Sequence, residues 1–420
     1  MGNEAGENTV GAQLLTIVLG FLIFIDDYFN CIAVGHISRP VTDRHRLSRA
    51  KLAYLIDSTA APMCVLAPIS SWGAYIITII AGILTMHSVT EYEAIQAFIL
   101  LIPMNYYALL AIIFMIAVVI FKLDIGQMKI HENRAQQTGE LVAPGSQLSK
   151  AEPDEMSGNV GKVGYLVWPL TALVCSTVIF MLLTGAAATE GELTLLSIFE
   201  NMDVAVSLVY GGLIGFAIAA LSAFLAKLPL RDFTRALGSG IKSMLPAIYI
   251  LILAWMMIEI ISELGTGQYL ASLIDGTIPV MLLPVLLFLV AGFAALSTGT
   301  SWGTFSLLLP IAGEMAAVIQ IDMLLPMLAA VLAGAIFGDH CSPISDTTIL
   351  SSAGAGSTHI DHVLTQLPYT LIVAGISVIA YLVLGATGSA ILGLLAGLVL
   401  LSGAVLLLRQ TVHRQRSKAF

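Results

Sequence analysis

Hydrophobic positions in this chain come in long uninterrupted runs, not in alternation. Ala94–Phe121, Val163–Thr189 and Val204–Ala226 contain no charged residue, and Val363–Leu408 contains none around its Gly385–Gly388 break. About 20 such residues carry an α-helix across the hydrocarbon core of a bilayer. A membrane β-barrel would instead show short segments of alternating polarity. The pattern predicts an all-α polytopic membrane protein with about 9–11 transmembrane helices. Crossings are expected near Gly11–Ile37, Leu52–His87, Ala94–Phe121, Val163–Ala188, Met202–Ala226 and Ser243–Ile261. Residues 278–354 should supply an odd number more, and 365–384 and 388–408 finish the chain. Residues 122–162, polar and rich in Gly, Ser, Pro and charge, read as a linker. They divide a membrane half, 1–121, from a second, 163–408, leaving 409–420 as a tail.

Three apolar regions are interrupted by helix-breaking polar residues. The first runs from Asp57-Ser58-Thr59-Ala60-Ala61-Pro62 to Ser70-Ser71-Trp72-Gly73. The second is Ser297–Thr304, containing Thr300, Ser301 and Trp302. The third is Gly338–Thr348, containing Asp339, His340, Ser342, Pro343, Ser345, Asp346, Thr347 and Thr348. Lipid cannot satisfy freed backbone groups, so such breaks must be buried in protein or line a watery cavity. Transporters build ion sites from discontinuous helices of this kind. Ser71-Trp72-Gly73-Ala74-Tyr75 resembles Ser301-Trp302-Gly303-Thr304-Phe305, and Asp57…Pro62 resembles Asp339…Pro343, but in reversed order. An inverted repeat is therefore expected in preference to a tandem one.

Charge refines the picture. Only 11% of residues are charged against 58% hydrophobic, which leaves no room for a large soluble domain. All 18 Lys and Arg fall within Arg39–Lys51, Lys122–Lys162, Lys227–Lys242 and Arg409–Lys418. The positive-inside rule puts these segments in the cytoplasm, with the C-terminus inside and, by parity, the N-terminus outside. No basic nucleic-acid face is implied. The acidic start, with Glu4 and Glu7, lacks the basic region of a signal peptide. Cys31, Cys64, Cys175 and Cys341 form no CxxC and read as free thiols in packed helices.

Ionisable groups at membrane depth are costly and usually functional. Asp57, Asp339 and Asp346 are the expected coupling carboxylates, with Asp26 and Asp27 as further candidates or as helix caps. Asn30, Ser58, Thr59, Thr300, Ser301, Ser342, Ser345, Thr347 and Thr348 supply the neutral oxygens that a hard cation such as Na⁺ prefers, and His340 a further polar group. Na⁺ is expected at Asp57, Asp339 and Asp346. A desolvated carboxylate is expensive to leave charged and empty, so a proton and a cation would compete for it. Trp72 and Trp302 flank two breaks and could line an organic-substrate cavity or simply pack. Glu259 reads as structural. His359-Ile360-Asp361-His362 reads as a solvated loop, not a metal site, and the Gly211/Gly215, Gly334/Gly338 and Gly393/Gly397 pairs read as close helix packing. No HExxH or serine-elbow setting suggests an enzyme. A channel would favour pore-lining rings.

The stretch Phe337–Tyr369, FGDHCSPISDTTILSSAGAGSTHIDHVLTQLPY, resembles the signature region of the NhaC-type Na⁺/H⁺ antiporter family, within the ion transporter superfamily. Thr300–Ala312 and Phe24–Tyr75 fit the same family. The resemblance implies exchange of Na⁺ and H⁺, inverted repeats with broken helices, a homodimer, and residence in a bacterial cytoplasmic membrane without further cofactor. Short members of this kind resemble its Vibrio-type tetracycline-efflux proteins, and other relatives exchange carboxylates. Export of tetracycline or an organic acid is thus the alternative to cation/proton antiport.

Overall fold

In a computed structural model, residues 2–144, 164–189, 202–264 and 278–417 are described, together with Leu193, Ile198 and Tyr269. The described residues form helices and no strands. Among them, nine segments are long and apolar enough to cross a membrane. The chain folds as an all-α polytopic membrane protein.

The region expected to make the first crossing instead doubles back. α1 (Gly2–Leu22) and α2 (Asp27–Arg44) are joined by Ile23–Asp26. The Asn30 side-chain amide, one turn into α2, donates to the carbonyls of Gly20 and Ile23, both at 2.8 Å. Those contacts require the chain to reverse. α3 (Arg49–Leu66) then breaks at Ala67–Ser70 and resumes as α4 (Ser71–Met86). The turn seats on that break: Cys64 Sγ approaches the Phe24 carbonyl at 3.1 Å, and the Ser71 N–H donates to Ile25 O at 2.7 Å. Gly20 lies against Thr59. Because later residues of α1 meet later residues of α3, the two helices run parallel. The start of α1 therefore faces the side that carries Arg44 and Arg49.

α5 (Ala94–Leu101) and a short 3₁₀ turn lead to α6 (Tyr106–Phe121), which returns to that basic side. The stretch read as a polar linker begins with a helix, α7 (Gly126–Thr138). It carries Lys129, His131, Glu132 and Arg134, and it lies beyond the apolar part of its segment, across the α2–α3 loop. The remainder of the expected linker, residues 145–162, lies outside the described residues. α8 (Gly164–Ala188) and α9 (Val204–Leu225) pack as a pair through Gly211 on Thr177 and Gly215 on Leu173. α10 (Leu230–Glu263) covers residues 243–261, where a crossing is expected. The side chain of Glu259 is not among those described.

A second hairpin-plus-broken-helix unit follows, in the opposite sense. α11 (Leu283–Thr298) and α12 (Ser301–Ile319) turn at Gly299, whose φ of +70° favours glycine. α13 (Leu324–Cys341) breaks at Ser342–Ser345 and resumes as α14 (Asp346–Ala355). α11 and α13 run parallel and very close. Gly334 lies against the Phe288 carbonyl and Gly338 against that of Gly292, and the Ser342 hydroxyl donates to Leu296 O at 2.8 Å. Residues 278–354, expected to supply one or three crossings and to fit three short or broken segments better than one, hold one helical pair and one broken helix. α15 (His359–Thr387) and α16 (Ala390–Ser417) close the fold. Gly385 meets Met281 O and the Tyr106 hydroxyl donates to Ala390 O, which fixes the side opposite the basic one. At the basic end, Arg409 sits over the Phe121 ring.

The two units are inverted, but the sequence matches are not their equivalent positions. Ser71-Trp72-Gly73 opens the second half of a broken helix, whereas Ser301-Trp302-Gly303 follows a hairpin turn. The inversion lies in backbone topology, and the matching motifs meet face to face across it. All four cysteines are free thiols; Cys31, Cys64 and Cys341 are packed inside as expected, whereas Cys175 is exposed.

Candidate functional site

Four half-helices, α2, α4, α12 and α14, begin where the two turns and the two breaks meet. Their first residues are polar because a helix start leaves N–H groups to satisfy. Asp26 caps α2, accepting from the Phe29 N–H at 2.9 Å and from the Ser71 hydroxyl at 3.0 Å. Ser70 caps α4 through the Gly73 N–H. Ser345 caps α14 through the Thr348 N–H. Thr300 occupies the cap of α12 without a side-chain bond. Between them, Trp72 packs edge-on against Trp302 at 5.8 Å and Phe305 at 5.2 Å, and the Tyr75 hydroxyl donates to Trp302 O. The two tryptophans are 1% and 6% exposed. They pack against each other and do not line an open cavity.

The carboxylates fall into distinct environments. Asp57, on α3, is fully buried and well provided with donors. Gln366 Nε2 donates to it at 2.5 Å and Ser351 Oγ at 3.2 Å, and His362 Nε2 lies 3.4 Å away, short of hydrogen-bond geometry. Gln366 also donates to His340 O at 3.0 Å, tying Asp57 to the end of α13. Asp339 accepts from Ser345 and Thr347 hydroxyls at 2.8 and 2.9 Å. Asp346 accepts from the Tyr28 hydroxyl and from the Thr347 N–H. Asp27 differs from all of these. It is 0% exposed, and neither carboxylate oxygen has a hydrogen-bond partner. The Trp72 indole N–H is near it without reaching hydrogen-bond geometry. Asp26, Asp346 and Asp339 are close enough to act on Asp27 electrostatically.

Buried carboxylates without donors are rare, because the charged form loses its water and gains nothing in return. Asp27 therefore needs a proton or a bound cation. On the same helix face, one turn on, Asn30 Oδ1 is also unengaged, and so is Thr348 Oγ1 on α14, which packs against α2. The expected sharing of one ion by Asp57, Asp339 and Asp346 does not match this geometry. Among the described residues no three acidic, His or Cys side chains converge as a ligand set. Among the remaining candidates, the Thr59 hydroxyl returns to its own helix at Leu55 O and Ile56 O. Ser301 donates to Ala335 O and Ser342 to Leu296 O, both structural roles. Ser58 lies beside His340 at a small void, and His340 Nδ1 is paired with the Tyr107 hydroxyl at 3.1 Å.

Sequence reasoning missed Tyr28, Ser351, His362 and Gln366. His359–His362 opens α15; it is not a solvated loop, and His362 is turned inward at 0% exposure. The helical spacing of His362 and Gln366, four residues apart on an apolar helix, was the available signal.

Paired hairpins and broken helices, with buried carboxylates where they meet, define a multi-pass membrane transporter. A family model for the Na⁺/H⁺ antiporter family matches residues 63–386, and the chain belongs to that family. An uncharacterized protein of Haemophilus influenzae is 49% identical over 390 residues, covering 92% of this chain and 73% of that protein. A protein of the same organism named as an uncharacterized Na⁺/H⁺ antiporter is 35% identical over 169 residues, 35% of this chain and 32% of its own length. The malate-2H⁺/Na⁺-lactate antiporter of Bacillus subtilis is 30% identical over 169 residues, 37% of this chain and 33% of that protein. No solved structure matches. The family and the named relatives are transporters, and these names do not support tetracycline export.

Proposed function

We propose that the protein is a Na⁺/H⁺ antiporter of the bacterial cytoplasmic membrane in which Asp27 holds either a proton or the cation. The observation that carries this reading is the fully buried Asp27 carboxylate, whose one neighbouring donor, the Trp72 indole N–H, falls short of hydrogen-bond geometry. Such a group cannot stand charged and empty, so release of one ion requires uptake of the other. Asp346 and Asp339 add negative field, and Asn30 and Thr348 offer neutral oxygens for a hard cation. Asp57, already supplied with donors, acts as a fixed charge that holds α3, α14 and α15 together. With the basic loops in the cytoplasm, the reversal at Ile23–Asp26 favours a start of α1 on that side too, in place of the external N-terminus expected from parity.

The test is transport in proteoliposomes carrying a pH gradient, with Na⁺, K⁺, malate and lactate supplied in turn. Wild type should dissipate the gradient on addition of Na⁺, and Asp27→Asn should not. Na⁺-driven proton movement by Asp27→Asn at the wild-type rate would remove Asp27 from the mechanism. A response to malate or lactate alone would replace the cation reading with organic-acid exchange.

A further inference from the structure

An apolar cavity of about 340 Å³ lies against the first hairpin turn. Phe24 from the turn and Ala67, Pro68 and Ile69 from the α3–α4 break form one wall. Ile95 and Ile99 of α5 form a second, and Val178, Met181 and Leu182 of α8, with Met202, form the third. No polar surface lines it. Water gains nothing there, because a buried water needs two to four polar partners. Ions and polar substrates are excluded for the same reason. An apolar cavity of about 150 Å³ already accommodates benzene, so this one has room for a longer hydrocarbon. Left empty, its walls would forgo their dispersion contacts over the whole surface.

The rim identifies the occupant. Ile99 is 48% exposed and Val178 is 39% exposed, and both lie on apolar helices of a multi-pass membrane protein, whose outward apolar faces meet bilayer hydrocarbon. An alkyl chain passing from the bilayer into the cavity leaves one apolar medium for another, with no desolvation cost. We propose that the cavity is a binding site for one acyl chain of a membrane phospholipid, wedged between the α8–α9 pair and the α1–α2 turn. The chain packs against Phe24, two residues before Asp26, and so backs the turn from which α2 begins. Its headgroup remains outside the cavity, which offers it no partner.

Native mass spectrometry of the purified full-length protein in detergent, with phosphatidylethanolamine of defined chain length added, tests this directly. Wild type should retain one more tightly held phospholipid than Met181→Trp, which fills the cavity from a 6% exposed position. Val178→Phe gives a milder filling should the tryptophan impair folding. Val209→Trp, on the lipid-facing side of α9 at 61% exposure, should retain the wild-type number. Equal lipid retention by wild type and both filled variants overturns the proposal. So does a density map of the cavity showing water, or showing this chain's own side chains filling it. The readout is binding alone, so its result is independent of whether the transported ion is Na⁺.

Discussion

Asp27 and Asp57 are both buried carboxylates, but their partners give them opposite roles. Asp57 accepts hydrogen bonds from Gln366 and Ser351, with His362 3.4 Å away, whereas no donor reaches Asp27 in hydrogen-bond geometry. Removing the charge should therefore affect different quantities at the two positions. Asp27→Asn should abolish ion-coupled transport while leaving the midpoint of thermal unfolding close to wild type, since no bond is lost. Gln366→Leu should lower stability by roughly 1–3 kcal/mol, the usual cost of stranding a buried polar partner, and leave the apparent affinity for Na⁺ unchanged. Thermal unfolding followed alongside proteoliposome transport separates the two, and a Gln366→Leu variant with normal stability and weakened Na⁺ affinity would reverse the assignment. The sequence marked all five aspartates, because charge inside an apolar run is conspicuous. It could not rank them. Donors to Asp57 come from positions 294 to 309 residues away, and only the fold brings Ser351 and Gln366 to it.

Elements were legible wherever one periodic apolar run corresponds to one straight helix, as in α6, α8, α9 and α16. They were misread where a run is interrupted. Gly11–Ile37 is apolar and long enough to cross, yet Asn30 folds it back on itself. The hidden signal was Asp26-Asp27 with Asn30, a cap and its anchor in mid-run. Close packing at Gly338 was anticipated from its spacing with Gly334. A Cβ there would lie 2.1 Å from the Gly292 carbonyl, so Gly338→Ala must part α11 from α13. That should cost about 1–3 kcal/mol, measurable as a lowered unfolding midpoint, and an unchanged midpoint would mean the two helices stand further apart. α7, read as linker, has its own pH dependence. Its Glu132 is 6% exposed and accepts from the Ser48 N–H at 2.8 Å. Burial pushes the carboxyl up to about 7, the charge of Asp124 adding to this against Lys51 and the Ser48 bond. A raised carboxyl favours the protonated docked form, so docking of α7 is strongest below about 4.5 and weakens as pH rises through about 7. Protection factors of the α7 amides, which remove the intrinsic pH dependence of exchange, should fall across that window in wild type. They should stay flat in Glu132→Gln, and parallel profiles for the two proteins would rule out Glu132 as the cause.

For the molecule as a whole, the segregation of Lys and Arg is the observation on which sidedness rests. The basic segments 39–51, 122–138 and the start of 409–418 end on one side. Lys51 pairs with Asp124 at 2.6 Å, Arg49 with Asp43 at 2.7 Å, and Arg409 covers Phe121. Parity counted from sequence put the N-terminus on the other side because it assumed a crossing for Gly11–Ile37. The hairpin removes that crossing, and α1 runs parallel to α3, which starts on the basic side. On the proposed placement of the basic loops in the cytoplasm, both chain ends are expected there. Green fluorescent protein folds in the cytoplasm and fails when exported through the general secretory route, so it reports the side directly. Fusions at the N-terminus and at the C-terminus should both fluoresce. A cysteine at position 140, in a background where the four native thiols are replaced, should resist a membrane-impermeant maleimide applied to intact cells. One placed at Glu91, in the acidic loop after α4, should react. A dark N-terminal fusion beside a bright C-terminal one would restore the first crossing and break the inverted pairing of the two hairpins. The Asp27 site would then have to be rebuilt on a straight helix, where Asn30 could no longer reach Gly20.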